Sequence, residues 1–281
     1  MRTRISADST CDLTAALCAE YDLAITPLYI LMGDRALKDG RECGPEDIFA
    51  YTEKTGKLCS TAAVSIADYQ DFFAERIKGA DHLVHFTISS DMSACYQNAV
   101  EAARDFPGRV FVVDSRSLST GIGLLVLDAA DMAREGRSGQ EIFEEMERRK
   151  EKLNVSFVID TLDYLHKGGR CSGVAALGAN LLKISPCIEL RGGAMGVGKK
   201  YRGSFPKVLD QYVRDRLVGR TDIDYRRIFI TDCMVSEEDR MAVRKLVEEL
   251  ADFDVVLHTS AGCTVSNHCG PGCLGILFFR K

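Results

Sequence analysis

Three apolar runs in this chain end in hydroxyl-rich turns, and a helix-like pattern follows each. Ile5 leads into Ser6-Ala7-Asp8-Ser9-Thr10. The run 83–88 leads into Ser89-Ser90-Asp91-Met92-Ser93, and the run 110–113 into Asp114-Ser115-Arg116-Ser117. Open α/β sheets bind ligands just beyond the carboxyl ends of their strands. Several such ends along one crevice would supply many neutral hydrogen-bond donors and little fixed charge, which suits an anionic head group. Ser93 would stand at a helix start, where backbone N–H groups and the dipole favour an anion. Ser60-Thr61 adds two hydroxyls in a loop. Near the other end, Asn267-His268-Cys269-Gly270-Pro271-Gly272 sets one imidazole before a rigid turn that could present it into a crevice. Each feature has a plainer alternative. The stretch 8–13 and Ser93 could simply cap helices, Ser60-Thr61 could be any loop, and a lone His is commonly structural.

The notable basic features are Gly168-Gly169-Arg170 and Lys199-Lys200-Tyr201-Arg202-Gly203. Arg forks match phosphate oxygens, and paired glycines let backbone approach a partner. The alternative is a solvated face. A zinc reading of Cys263, His268, Cys269 and Cys273 has the ligand types close together. The intervening Gly-Pro-Gly fits a tight turn feeding a buried strand better. The 11 cysteines contain no CxxC pair and read as reduced, buried, small hydrophobes. There is no GxSxG elbow, no GxxxxGK[ST] loop and no standout carboxylate pair. Gly121-Ile122-Gly123 lacks the third glycine of a dinucleotide fingerprint. The chemistry is therefore that of binding, with no metal and no cofactor expected.

The 281 residues suffice for two domains or one large one, at 46% hydrophobic and 27% charged. The net charge of -5 argues against non-specific nucleic-acid binding. No signal-like segment or membrane-span length of apolar sequence is present, so a cytoplasmic protein is expected. Strands are expected at 2–7, 24–31, 82–87 and 109–114, with helices at 12–21, 44–54, 66–78, 93–106, 119–135 and 139–151. That alternation, with nearly continuous apolar strands, predicts a parallel sheet with helices on both faces. Beyond it come a strand at 154–160, helices at 161–167 and 173–182, and a hairpin of 184–190 with 195–201. A helix at 205–217, a strand at 227–232, a helix at 236–250 capped by Ser236, and strands at 254–259 and 275–279 complete a mixed α+β sheet. The fold class is α/β in two domains, 1–152 and 153–281.

Taken together, these segments resemble the DegV family, whose members serve as fatty-acid-binding subunits of bacterial fatty acid kinase. Asp8-Ser9-Thr10-Cys11-Asp12-Leu13 looks like the family's opening motif. Ser89-Ser90 with Ser93 and Tyr96-Gln97 looks like its SSxLSGTYQ segment, and Asp114-Ser115 through Gly121 to Leu125 like its DSxxxSxGxG helix. Asp160 to Leu165 with Lys167-Gly168-Gly169-Arg170 looks like DTLxYLxKGGR, and His268 to Gly272 like HxGPG. The resemblance implies two α/β domains with a long-chain fatty acid between them. It implies Thr61, Ser93 and His268 around the carboxyl group, with Ser9, Ser90 and Gly270 nearby. Arg170 and Arg202 would meet phosphate or the partner. That partner would be an ATP-dependent kinase subunit, followed by a downstream acyltransferase, with transient membrane contact. This chain reads Thr61-Ala62-Ala63-Val64 where the family has TSQP, and Ala94-Cys95 where it has Gly-Thr. Two readings compete with this one: a carrier of another amphipathic ligand, or a stand-alone acyl hydrolase with Ser93 or a Cys as nucleophile and His268 as base. Dihydroxyacetone kinases share a related fold, which keeps a small polyol ligand in view.

Overall fold

The computed structural model describes residues 1–172 and 184–281. The helix expected over 173–182 lies outside them. The chain forms two compact units: Met1–Glu151 with Gly262–Asn267, and Lys152–Ala261 with His268–Lys281. Gly262–Asn267 thus packs with the first unit although it lies far beyond residue 152.

The first unit runs β1 (Thr3–Asp8), α1 (Ala15–Glu20), β2 (Ala24–Thr26), β3 (Tyr29–Met32), β4 (Arg35–Lys38), α2 (Pro45–Thr55) and β5 (Ser60–Ala62). It continues with α3 (Ile66–Arg76), β6 (His82–Thr87), α4 (Cys95–Ala103), β7 (Val110–Asp114), α5 (Thr120–Arg134) and α6 (Gly139–Arg149). Strands β2-β1-β6-β7 form a parallel sheet. Ile5, Ala7, Leu83, Val84, Phe86, Val112 and Val113 are buried from both directions of the pleat, so helices must cover both faces. The strand expected over 24–31 is broken. Pro27 has no N–H for a ladder, and β3 leaves to form a second, antiparallel sheet, β4-β3-β5. Helix starts follow local chemistry: Thr14 caps α1, Ser65 caps α3, and Ser138 with Glu141 forms a capping box on α6. Gly123 in α5 has no room for a side chain, because a Cβ would lie 2.9 Å from Leu13 and 3.2 Å from the Cys11 carbonyl.

The second unit runs β8 (Leu153–Ile159), α7 (Asp163–Gly168), β9 (Cys171–Ser172), β10 (Ile184–Arg191), β11 (Ala194–Arg202), α8 (Phe205–Leu217) and β12 (Ile223–Cys233). It ends with α9 (Glu237–Leu250), β13 (Val255–Ser260), α10 (Cys263–Cys269) and β14 (Cys273–Arg280), with the first five residues of α10 counted in the first unit. Its sheet is mixed, in the order β13-β12-β14-β8-β10-β11-β9. Alternate residues Ile228 and Ile230 of β12, and Leu274, Ile276 and Phe278 of β14, pack against Leu209, Tyr212, Val213, Val243 and Val247 of α8 and α9. Ser236 caps α9 and bonds Asp239, as expected. Among the described residues, no helix is long and apolar enough to cross a membrane.

Candidate functional site

The carboxyl ends of β1, β6 and β7 lie side by side in the sheet, with Ala7 opposite Phe86 and Thr87 opposite Asp114. The hydroxyls expected there are present, but so is fixed charge. Asp8 accepts from Ile88 N at 2.8 Å, from Thr10 N at 3.0 Å and from the Thr10 hydroxyl, joining two strand ends. Asp114 accepts from Ser90 N at 3.1 Å and from the Ser90 hydroxyl at 2.6 Å. The Ser9 hydroxyl donates to Asp39 at 3.0 Å, and Ser119 donates to Asp12. All four carboxylates are buried. The expected edge of many neutral donors and little charge is therefore corrected: buried aspartates take several of those protons. Burial pushes the Asp12 carboxyl up to about 8 and Asp8 up to about 6. The negative charge of Asp39 adds to both, and hydrogen bonds oppose it.

Helix α10 was not expected from sequence. Its seven residues are too few to show a period, and its caps come from distant residues. Asp12 accepts from Gly262 N at 2.9 Å. Asp39 accepts from Cys263 N at 2.9 Å, Thr264 N at 3.1 Å and the Thr264 hydroxyl at 2.6 Å. At the other end of the helix, Asn267 Nδ2 donates to the Cys59 carbonyl at 2.9 Å. That bond ties the last turn of α10 to the start of the strand carrying Thr61. Thr61 itself is half-buried on β5, opposite Ile30.

Ser93 is half-buried two residues before α4. Its hydroxyl donates to Cys95 Sγ at 3.2 Å and accepts from Cys95 N at 3.3 Å. Ala94, the N-cap of α4, makes no side-chain cap hydrogen bond. Asn98 Nδ2 donates to the Val64 carbonyl at 2.8 Å, joining α4 to the segment after Thr61. The first unit therefore brings the Thr61 and Ser93 segments together.

In the second unit, two sequence motifs interlock at alternate positions. A Cβ on Gly168 would lie 2.6 Å from His268 Nδ1, one on Gly270 would lie 2.6 Å from the Tyr164 ring, and one on Gly272 would lie 3.0 Å from Asp160 Cβ. Positions 160, 164 and 168 thus face 272, 270 and 268. Gly270 and Gly272 also have positive φ, at 80° and 71°. The first glycine of the doublet seats the imidazole. Arg170 is exposed and donates to the Gly168 carbonyl at 2.9 Å, next to His268. Burial, then the Arg170 charge, lowers the His268 pKa to about 4, so the imidazole is neutral at physiological pH. Arg170, His268 and Gly270 are brought together. Arg202 is not with them: Cys171 pairs with Met195, and Arg202 stands seven residues along β11, about 23 Å of strand away.

Burial pushes Cys95 and Cys171 up to about 11 and Cys187 up to about 12, away from the thiolate form. Cys263 lies beside Cys43, with Sγ atoms 3.7 Å apart, in a cluster with Ile30 and Ile48. Among the described residues, no three His, Cys, Asp or Glu side chains converge as a metal ion needs.

A parallel α/β unit and a mixed-sheet unit, with a hydroxyl-rich strand edge in one and a glycine-seated imidazole in the other, define a two-unit α/β protein. The family model described as "Uncharacterised protein, DegV family" matches residues 2–281, and the chain belongs to that family. A DegV domain-containing protein of Deinococcus radiodurans is 33% identical over 278 residues, covering 98% of each chain. A protein of Thermotoga maritima named fatty acid-binding protein is 28% identical, covering 98% of this chain and 96% of its own. A solved structure from Thermus thermophilus, described as fatty acid binding of a DegV family protein, superposes with a TM-score of 0.88 at 30% identity, with full coverage of both chains.

Proposed function

We propose that this chain binds a long-chain fatty acid and orients its carboxyl group for a separate ATP-dependent kinase. Thr61, Ser93 and His268 are the head-group donors, with Ser9, Ser90 and Gly270 supporting them. Arg170 and Arg202 contact phosphate or the kinase at separate points on its surface. The chain is a presenting subunit with no catalytic step of its own, and the acyl-phosphate passes to an acyltransferase. It works in the cytoplasm, with transient membrane contact to collect and deliver lipid.

The observation that carries this reading is the His268 imidazole. It is half-buried and held in a seat that only a glycine at 168 leaves open, and burial with the nearby Arg170 charge lowers its pKa to about 4. A neutral imidazole offers one N–H to a carboxylate, and Ser and Thr hydroxyls add further donors without a fixed counter-charge. The full-length likeness to relatives described as fatty-acid-binding points to the same ligand. Replacing His268 with Ala tests it. Stearate affinity is expected to fall roughly tenfold or more, the effect of losing a hydrogen bond to a charged group. Kinase-dependent phosphorylation of the bound acid should fall with it. If both values stay unchanged, His268 has no part in the mechanism.

A further inference from the structure

We propose that Asp39 is the positioning residue for His268, acting through the short helix that carries the imidazole. The inference rests on the head-group reading of His268 and extends it to a residue far away in sequence. Asp39 is 3% exposed, and its carboxylate accepts four hydrogen bonds: from Cys263 N, Thr264 N, the Thr264 hydroxyl and the Ser9 hydroxyl. Three of those four donors belong to the first turn of α10. Asp12 takes the preceding amide, Gly262 N, so three consecutive backbone N–H groups end on two buried carboxylates.

A seven-residue helix has barely two turns, and so short a segment does not hold its shape alone. Its axis is set by what binds its ends. His268 follows Thr264 by four positions, so the two side chains lie on the same face, one turn apart. Asp39 grips Thr264 by both its amide and its hydroxyl, which fixes rotation about the helix axis as well as its start. Asn267, bonded to the Cys59 carbonyl, restrains the last turn sideways. Loosening the first turn would therefore swing the imidazole off the donor direction without touching it. Asp39 never needs to meet the ligand.

A double-mutant cycle with stearate as the probe separates positioning from general stability. Asp39→Asn keeps the side chain's size but presents one acceptor oxygen instead of two. It should weaken stearate binding roughly tenfold in the wild-type background, and less than about twofold in His268→Ala. In parallel, the His268 ring resonances of the 15N-histidine-labelled, ligand-free protein should shift in Asp39→Asn, while those of His85, buried in the first unit's core, stay fixed. Equal weakening in both backgrounds, or a wild-type affinity and an unmoved His268 signal, would overturn the proposal. The single His268→Ala arm reports on the head-group reading itself, so the two failures are distinguishable. Should Asp39→Asn fail to fold, Thr264→Val removes one of the four bonds, and the same cycle should show about a threefold effect that vanishes in His268→Ala.

Discussion

A methyl group on Gly168 would collide with His268 Nδ1, and one on Gly169 would meet nothing within 4 Å. The two neighbours should therefore respond differently. Gly168 ends α7, where the better helix propensity of Ala is outweighed by the clash with the packed imidazole, so Gly168→Ala should lower the melting temperature modestly. Its stearate affinity should drop at least tenfold as the imidazole is pushed aside. Gly169 has φ of 66°, so Gly169→Ala should cost about 1–2 kcal/mol of stability and leave affinity nearly intact. Calorimetric titration and thermal melts on both variants check this, and a Gly168→Ala variant that binds normally would remove the steric argument. The sequence showed the doublet and the histidine as separate features. It could not show that they touch, because Gly168 and His268 lie 100 positions apart in the chain. The same holds for Ser9 and Ser90. Their hydroxyls were legible as donors, but their acceptors, Asp39 and Asp114, are brought to them only by folding.

Helix α10 shows the same problem at the level of elements. Long, periodic or locally capped helices were legible: α6 through Ser138 and Glu141, α9 through Ser236 and Asp239. Strand β5 and α10 were not, since each is short and held by residues elsewhere. The clamp on α10 also makes stability depend on pH in an unusual direction. An unfolded Asp titrates near ~3.9. Folded Asp12 titrates at about 8 and Asp8 at about 6. Between those values the native state holds more protons than the unfolded chain, so stability falls as pH rises from about 4 to 8. Melting temperatures should therefore be lower at pH 8.5 than at pH 6. Asp12→Asn, whose amide can still accept from Gly262 N and donate to Ser119, should flatten the upper part of that slope. A wild-type melting temperature that climbs over this range would contradict the burial of these carboxylates.

For the whole molecule, the alternation of strand and helix gave the class of the first unit, and the mixed pattern gave that of the second. The sequence did not place Gly262–Asn267 with the first unit, because nothing local marks a segment that packs back across more than 200 positions. On the proposed function, binding at this scale is a competition with lipid. Each buried methylene contributes about 0.8 kcal/mol, and a membrane offers a similar gain. A binding protein must therefore win through the head group or by enclosing the tail more completely. On the proposed reading, the head-group donors supply that margin. The most direct test is native mass spectrometry of the purified protein, before and after removal of lipid with organic solvent. The account predicts an adduct with the mass of one long-chain fatty acid, lost on delipidation and restored by added stearate. A protein that carries no such adduct and takes up none on titration would contradict it.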